Sequence, residues 1–173
     1  MSNDPVIRLS KNSTDNWQTP NDLLSTVQAF GSYVGAKGIS FDPATVKDNP
    51  TRAAKIRTPD CDPDGLETDW MFAAGEGGLI FVNPPYRSAW YTKIAEEAER
   101  VRWDQHMIAL LPAKVGTGYF QKLVKHAKAI VFIRGRLTFK GAPDPAPFES
   151  ALLYFGSSPH QFRAQFEKYG WAI

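Results

Sequence analysis

The feature that most constrains the fold is an alternation between short, continuous apolar runs and longer amphipathic stretches. Residues 79–82, 107–111 and 129–133 are runs of apolar side chains, typical of strands buried on both faces of a sheet. Between these runs, apolar residues recur at helical spacing. Strands that alternate with helices predict an α/β fold with a parallel sheet. Right-handed crossovers then place the carboxyl ends of the parallel strands at one edge.

The first helix is predicted from a proline-containing start. Thr19 is placed to cap it and Pro20 fits its first position, and apolar residues then recur until glycines interrupt the pattern at 35–38. The other predicted elements are a strand over 39–41 ending at Asp42-Pro43, a short helix within 44–54, a strand over 55–58, a turn-rich loop over 59–65, a helix capped by Ser88, a helix over 119–127, a strand over 151–155 and a closing helix over 162–169.

Composition and charge are those of an ordinary folded domain. The chain has 173 residues, of which 43% are hydrophobic and 22% charged, which excludes a wholly disordered chain. The net charge of +2 is too small to indicate or exclude a polyanionic partner. We expect a flexible arm over residues 1–16 and a single domain over 17–173, without room for a large separate target-recognition domain.

Cysteine and histidine usage argues against a disulfide or a structural metal. Cys61 is the single cysteine, and the three histidines are scattered rather than spaced as ligands. No apolar run approaches the ~18 residues of a membrane span, and the first residues lack the apolar core of a secretory signal. We therefore expect a soluble, intracellular protein in a reducing compartment, with no metal site.

The most informative motif directly follows the apolar run 79–82. It is Asn83-Pro84-Pro85-Tyr86, called the NPPY segment below, and we predict all four residues as catalytic. An exocyclic aromatic amine is a poor nucleophile, and two acceptors on its N–H bonds localise its lone pair. The Asn83 side-chain oxygen and the Pro84 carbonyl can supply both acceptors, while Tyr86 offers a stacking face worth ~1–3 kcal/mol to an extruded base. The structural alternative is a proline turn that ends a strand.

Seven motifs, the NPPY segment among them, give the chain a specific resemblance. Between Trp17 and Phe155 it resembles the small phage-type DNA N6-adenine methyltransferases. The resemblance implies a Rossmann-like methyltransferase fold: a mostly parallel sheet, helices on both faces and a C-terminal antiparallel strand. It also implies methyl transfer from S-adenosylmethionine to the N6 amine of adenine. The other six motifs are W-x-T-P at 17–20, F-D-P-A at 41–44, D-G-L followed by W at 64–70, L-L-P-A at 110–113, G-R-L-x-F at 135–139 and P-F-x-S-A at 147–151.

The resemblance also implies a set of cofactor-binding residues. Asp42 would accept from the cofactor ammonium group, although it could instead only close an Asx turn. Asp64 would meet the cofactor adenine amine, with Asp60 and Asp62 as alternatives. Trp17 either packs over the cofactor or only covers the first helix. No glycine-rich turn follows Asp42, unlike in many methyltransferases. The full implied set is Trp17, Thr19, Pro20, Asp42, Pro43, Ala44, Asp64 and Asn83.

Basic residues near the expected active edge are predicted to contact double-stranded DNA through its phosphates or guanines. A solvated basic loop is the alternative. Target recognition is expected from loops 84–92, 113–118 and 134–149, in the cytoplasm of a bacterial or phage-infected cell, and the oligomeric state is left open. The predicted DNA-binding residues are Arg87, Lys114, Arg134, Arg136 and Lys140. The residues expected to be structural instead are Trp90, Tyr91, Tyr119, Phe120, His106 and His126.

Other functions remain as alternatives at this point. Methylation of an RNA base or of a protein glutamine would use the same chemistry, but such relatives usually carry the glycine-rich cofactor loop. Cytosine N4 methylation more often shows serine in place of Asn83. A non-catalytic nucleic-acid-binding module gives no reason for Asn83 and Tyr86 to occur together.

Overall fold

A computed structural model describes residues 18–173, which form one mixed sheet with helices on both faces. The predicted arm over 1–16 and Trp17 lie outside these residues. The helices are α1 (Asn21–Tyr33), α2 (Trp70–Ala74), α3 (Ser88–Arg100), α4 (Gly118–His126) and α5 (Pro159–Phe166), the last continued by a 3-10 turn (Glu167–Tyr169). The strands are β1 (Phe41–Asp42), β2 (Lys55–Ile56), β3 (Leu79–Val82), β4 (His106–Pro112), β5 (Ala129–Ile133), β6 (Ser150–Gly156) and β7 (Gly170–Ala172).

The strand order is β2-β1-β3-β4-β6-β5-β7. Strands β1 to β4 run parallel to one another, whereas β6 runs antiparallel to both β4 and β5, and β7 runs antiparallel to β5. This arrangement confirms the predicted fold class. After β1 the chain pairs β2 on one side and then β3 on the other, so the strand order reverses between β1 and β3. In α/β sheets, ligands bind beyond the carboxyl ends of the strands at such a reversal.

Two apolar layers cover the sheet. Alternate strand residues such as Phe81 and Leu152 pack with α1 and α5 into one layer, called the α1 layer below. Their neighbours, such as Val82 and Leu153, pack with α2, α3 and α4 into the α3 layer. The alternation follows from the strand period of two, and it fixes which side chains of the active edge share a face.

Several residues expected to be structural are indeed part of the packing. His106 is 4% exposed and its Nδ1 lies 2.7 Å from the hydroxyl of Tyr154. Tyr91 stacks on Tyr119 with ring centroids 4.0 Å apart, and Phe120 is buried in the α3 layer. These contacts confirm core packing for this group.

Both predicted helix caps are wrong. Helix α1 begins at Asn21 with Pro20 at the cap position and no side-chain cap bond, and the Thr19 hydroxyl accepts a hydrogen bond from Asn83. Helix α3 begins at Ser88 itself, with Arg87 at the cap position and again no side-chain cap bond.

The helix predicted within 44–54 is also wrong, because this stretch is a series of turns. Asn49 and Arg52 have φ angles of 45° and 52°, which a right-handed helix does not allow. The Asn49 side chain accepts from Ala53 N at 3.1 Å and donates to Ala53 O at 3.0 Å. An asparagine that satisfies the backbone locally competes with helix formation.

Two short elements escaped prediction. Helix α2 begins after Asp69, whose side chain accepts from Phe72 N at 3.0 Å as an N-cap. Strand β7 has three residues, too few for a periodic pattern. In residues 18–173, no helix is long and apolar enough to cross a membrane.

Candidate active site

The two segments that sequence analysis singled out lie on neighbouring strands. Asp42 ends β1, the NPPY segment follows β3, and β1 pairs with β3 through Phe41 and Ile80. They therefore meet at the edge where the strand order reverses, as predicted. The segments that follow β4 and β5 reach the same edge, because these strands run parallel to β3.

The side-chain amide of Asn83 is held in one orientation by its neighbours. Its Nδ2 donates to Thr19 Oγ1 at 3.2 Å, and its Oδ1 accepts from the Tyr86 hydroxyl at 3.1 Å. Thr19 is 4% exposed, so its hydroxyl is a fixed partner. The amide nitrogen is thus directed toward the start of α1 and the oxygen toward Tyr86.

The ring of Tyr86 is half-buried and packs edge-on against Phe148. The ring centroids lie 5.3 Å apart at an interplanar angle of 85°. Burial raises the pKa of Tyr86 above its ordinary value, so the hydroxyl stays protonated and can donate to Asn83. Phe148 was not predicted as a site residue, although it belongs to the P-F-x-S-A motif.

The two prolines differ in their surroundings. Pro84 is buried, and within residues 18–173 its carbonyl accepts no hydrogen bond. The backbone N–H of Arg87 donates to the Pro85 carbonyl at 2.8 Å instead. The turn therefore leaves the Pro84 oxygen available as an acceptor.

A cavity of about 290 Å³ opens between the loop after β1, the loop before α2 and the start of α3. This volume lies at the lower end of small-molecule sites, roughly 300–1,000 Å³. Pro43, Ala44 and Asp64 were predicted to line a cofactor site, and all three line this cavity. Asp42, Thr19, Pro20 and Asn83 do not. The complete lining is Pro43, Ala44, Thr45, Val46, Arg57, Thr58, Pro59, Asp64, Gly65, Leu66, Pro85, Arg87 and Trp90.

Of the three aspartates in the loop before α2, only Asp64 lines the cavity. Its Oδ1 accepts from Leu66 N at 2.8 Å and Glu67 N at 3.1 Å, and Oδ2 has no hydrogen-bond partner in the described part of the chain. Asp60 instead pairs with Lys47 at 2.6 Å on the surface, and Asp62 is exposed.

Gly65 makes this cavity wall possible. A Cβ at this position would collide with the carbonyl of Pro43 and would come within 2.7 Å of the Trp90 ring. Only a glycine lets the two loops approach so closely. The D-G-L motif was the sequence signal for this residue, but its steric role could not be read from the motif.

Asp42 is buried, with 2% of its surface exposed. Its Oδ1 accepts from Ala44 N at 3.0 Å, which forms the expected Asx turn. Its Oδ2 accepts from the Thr51 hydroxyl at 2.8 Å. Burial raises the pKa of Asp42 to about 6, although hydrogen bonds from Ala44, Thr51 and Thr45 oppose the rise. Asp42 thus supports the loop whose next residues line the cavity.

The predicted basic residues are exposed near this edge. Lys114 follows β4 and Arg134 follows β5, while Arg136 lies in the loop beyond. Lys140 forms an antiparallel bridge with Gln18, with N···O distances of 2.8 and 3.4 Å. Arg87, predicted to contact DNA, is exposed at the cavity wall. Within residues 18–173, no group of three or more His, Cys, Asp or Glu side chains is arranged to hold a metal ion.

The parallel sheet, the cavity beside β1 and the NPPY segment after β3 define a methyltransferase that acts on a planar amine. The sequence matches the family described as DNA N-6-adenine-methyltransferase (Dam) over residues 7–151, and the chain belongs to this family. It is therefore an enzyme that methylates the N6 amine of adenine in DNA, as expected from the sequence. The usual methyl donor of such enzymes is S-adenosylmethionine. The match begins within the predicted arm over 1–16. No curated protein matches the chain.

Proposed function

We propose that the enzyme holds a flipped adenine at the NPPY segment, with Asn83 Oδ1 and the Pro84 carbonyl accepting from the two N–H bonds of its amine. The observation that carries this proposal is the fixed Asn83 amide beside an open Pro84 carbonyl. Two acceptors of this kind draw the amine toward a tetrahedral shape and localise its lone pair. Because a nucleophilic lone pair then exists without prior deprotonation, positioning supplies the catalysis.

The proposed cofactor is S-adenosylmethionine, which supplies an electrophilic methyl group when bound. The cavity residues fit its adenosyl end. In the described part of the chain Asp64 Oδ2 has no partner and could accept from an adenine amine, while Ala44 and Leu66 offer apolar walls. Pro85 lines the same cavity, so the cofactor site adjoins the NPPY segment.

The methionine end of the cofactor is assigned to the reversal between β1 and β3. We assign its ammonium group to the carboxylate of Asp42, in a charge-assisted bond. Trp17, Thr19 and Pro20 are proposed as its neighbours. Thr19 also acts through Asn83, whose amide it orients.

The aromatic ring of Tyr86 is proposed as the stacking surface for the base. Extruding a base costs a few kcal/mol, and stacking recovers about 1–3 kcal/mol. The hydrogen bond from Tyr86 occupies only one of the two lone pairs on Asn83 Oδ1. The arriving amine is proposed to bind at the second lone pair.

Double-stranded DNA is proposed to lie across the edge that carries Arg87, Lys114, Arg134, Arg136 and Lys140. Phosphate contacts from such residues fix the register of a protein on a duplex. Sequence recognition is assigned to loops 84–92, 113–118 and 134–149 within a single domain over 17–173.

The test is transfer of radiolabelled methyl groups to unmethylated DNA, methylated DNA, RNA and protein. We expect label in unmethylated DNA, recovered on hydrolysis as N6-methyladenine. Asn83→Ala should lose most turnover while calorimetry shows unchanged cofactor binding. Full turnover in Asn83→Ala would remove Asn83 from the mechanism, and label in cytosine, RNA or protein glutamine would favour one of the alternative substrates.

A further inference from the structure

Ser150 carries a buried hydroxyl that nothing in the described chain satisfies. The residue is 1% exposed, and its Oγ has no hydrogen-bond partner within residues 18–173. Buried polar groups are almost always paired, and an unpaired one destabilises the fold. A ligand that forms a hydrogen bond with the Ser150 hydroxyl would explain why this position carries a serine.

The position of Ser150 in the sheet places it at the active edge. Ser150 lies opposite Pro112, the last residue of β4, while Ala109 of the same strand lies opposite Val82, the residue before the NPPY segment. Strand β4 therefore lies between Asn83 and Ser150. Two strand spacings separate them across the sheet, roughly 10 Å, which leaves room for a base and its hydrogen bonds.

Ser150 and Asn83 also share a face of the sheet. Side chains alternate along β6, and Leu152 packs in the α1 layer, so Ser150 is directed to that same side. The Asn83 side chain is directed there too, since it donates to Thr19 at the start of α1.

Side-chain contacts lead from Asn83 to Phe148, which is close to Ser150 in the chain. Asn83 binds the Tyr86 hydroxyl, and the Tyr86 ring packs edge-on against Phe148. Phe148 lies in a bend two residues before Ser150, where β6 begins. The four residues therefore border one region above the ends of β3, β4 and β6.

We propose that Ser150 Oγ donates a hydrogen bond to a ring nitrogen of the flipped adenine, either N1 or N7, while its amine is held at the NPPY segment. This inference rests on the proposed function. Because Ser150 is buried, the base reaches it by separating the Tyr86 and Phe148 rings. The hydroxyl then gains its missing partner only in the substrate complex, so Ser150 contributes to base positioning and selection.

The test compares wild type, Ser150→Ala and Ser150→Thr on duplexes in which the target adenine is replaced by 1-deazaadenine or 7-deazaadenine. The target sequence is first taken from methylated positions in DNA of expressing cells. On adenine, Ser150→Ala should lower kcat/KM roughly 5- to 30-fold with unchanged KM for the cofactor. Ser150→Thr, which keeps the hydroxyl, should recover most of this loss.

The two analogues identify the contacted nitrogen. With the analogue that lacks it, Ser150→Ala and wild type should have the same kcat/KM, whereas the other analogue should show the same loss as adenine. Equal losses on all three bases, no loss at all, or a lower melting temperature of Ser150→Ala would overturn the inference. Failure of the proposed function is separate, since it would appear as wild-type turnover in Asn83→Ala.

Discussion

The hydroxyl of Tyr86 donates to Oδ1 of Asn83 at 3.1 Å, so the ring proposed to stack on the base is tied to the oxygen proposed to bind its amine. On the other side of the amide, Thr19 accepts from Nδ2. Two protein partners thus orient the reacting corner before substrate arrives. Side chains that are fixed in this way need little reorganisation at the moment of reaction.

Replacing Tyr86 separates the role of its ring from that of its hydroxyl. Tyr86→Phe keeps the stacking surface and frees one lone pair of Asn83, so we expect kcat/KM within about threefold of wild type. Tyr86→Ala loses stacking worth ~1–3 kcal/mol, which corresponds to about 5- to 150-fold in kcat/KM. Steady-state methylation of a defined duplex measures both variants. A larger loss in Tyr86→Phe than in Tyr86→Ala would contradict a stacking role.

Replacing Thr19 tests whether its hydroxyl positions the catalytic amide. Thr19→Val keeps the shape but removes the acceptor for Asn83 Nδ2, so kcat should fall roughly 5- to 30-fold. The KM for DNA should change little, and Thr19→Ser should restore kcat. A loss confined to the KM for the cofactor would indicate instead that Thr19 acts only at the cofactor site.

Asp42 makes the stability of the enzyme depend on pH in an unusual direction. Its pKa rises from 3.8 when unfolded to about 6 when folded, so the native state binds the proton more tightly. The contribution of Asp42 to the free energy of unfolding therefore falls by roughly 3 kcal/mol as pH rises from about 4 to 6. Above that range the contribution is constant.

Asp42→Asn should remove this dependence while keeping an acceptor for Ala44 N. At pH 8 we expect Asp42→Asn to have a higher free energy of unfolding than wild type, measured by urea denaturation. At pH 4 the two proteins should differ less in this free energy. Cofactor affinity should fall in the same variant, because its ammonium loses a charged partner. Identical pH profiles for the two proteins would show that Asp42 does not titrate in this way.

Gly65 should not tolerate even one added methyl group. Gly65→Ala places a Cβ against the Pro43 carbonyl and the Trp90 ring, so the two loops must separate. Overpacking of this kind costs typically about 1–3 kcal/mol, and we expect cofactor binding to weaken by roughly 5- to 150-fold. Gly116→Ala is the matched control, because nothing lies within 4 Å of a Cβ there. Calorimetry with S-adenosylmethionine would reveal equal affinities if the steric argument fails.

The sheet was predictable because its central strands are continuous runs of apolar residues in the sequence. Leu79–Val82 is buried at every position, and its end is marked by the NPPY segment. Once the strands are parallel, their carboxyl ends must share an edge, so Asp42 and Asn83 could be placed together without coordinates. The location of the site was therefore predicted mainly from where the strands end in the sequence.

The parts that could not be predicted depend on contacts between distant residues. A threonine before a proline is a typical helix-cap pattern. Nothing in the local sequence indicates that the Thr19 hydroxyl accepts a hydrogen bond from Asn83, 64 residues away. Asn49 is a different case, because its side chain bonds the backbone of Ala53 only four residues away and so favours turns over a helix. The steric demand on Gly65 exists only once two loops have met. For Thr19 and Gly65, the local sequence pattern allowed two structures and a tertiary contact decided between them.

The bridge between Gln18 and Lys140 places the basic loop one peptide unit away from the catalytic machinery. Thr19 follows Gln18 directly, and its hydroxyl holds Asn83. The loop at Lys140, proposed to contact phosphate, is therefore linked through Gln18 and Thr19 to the amide proposed to bind the target base. Movement of the loop at Lys140 would therefore be felt at Thr19, so contact with the duplex and the orientation of the Asn83 amide are coupled.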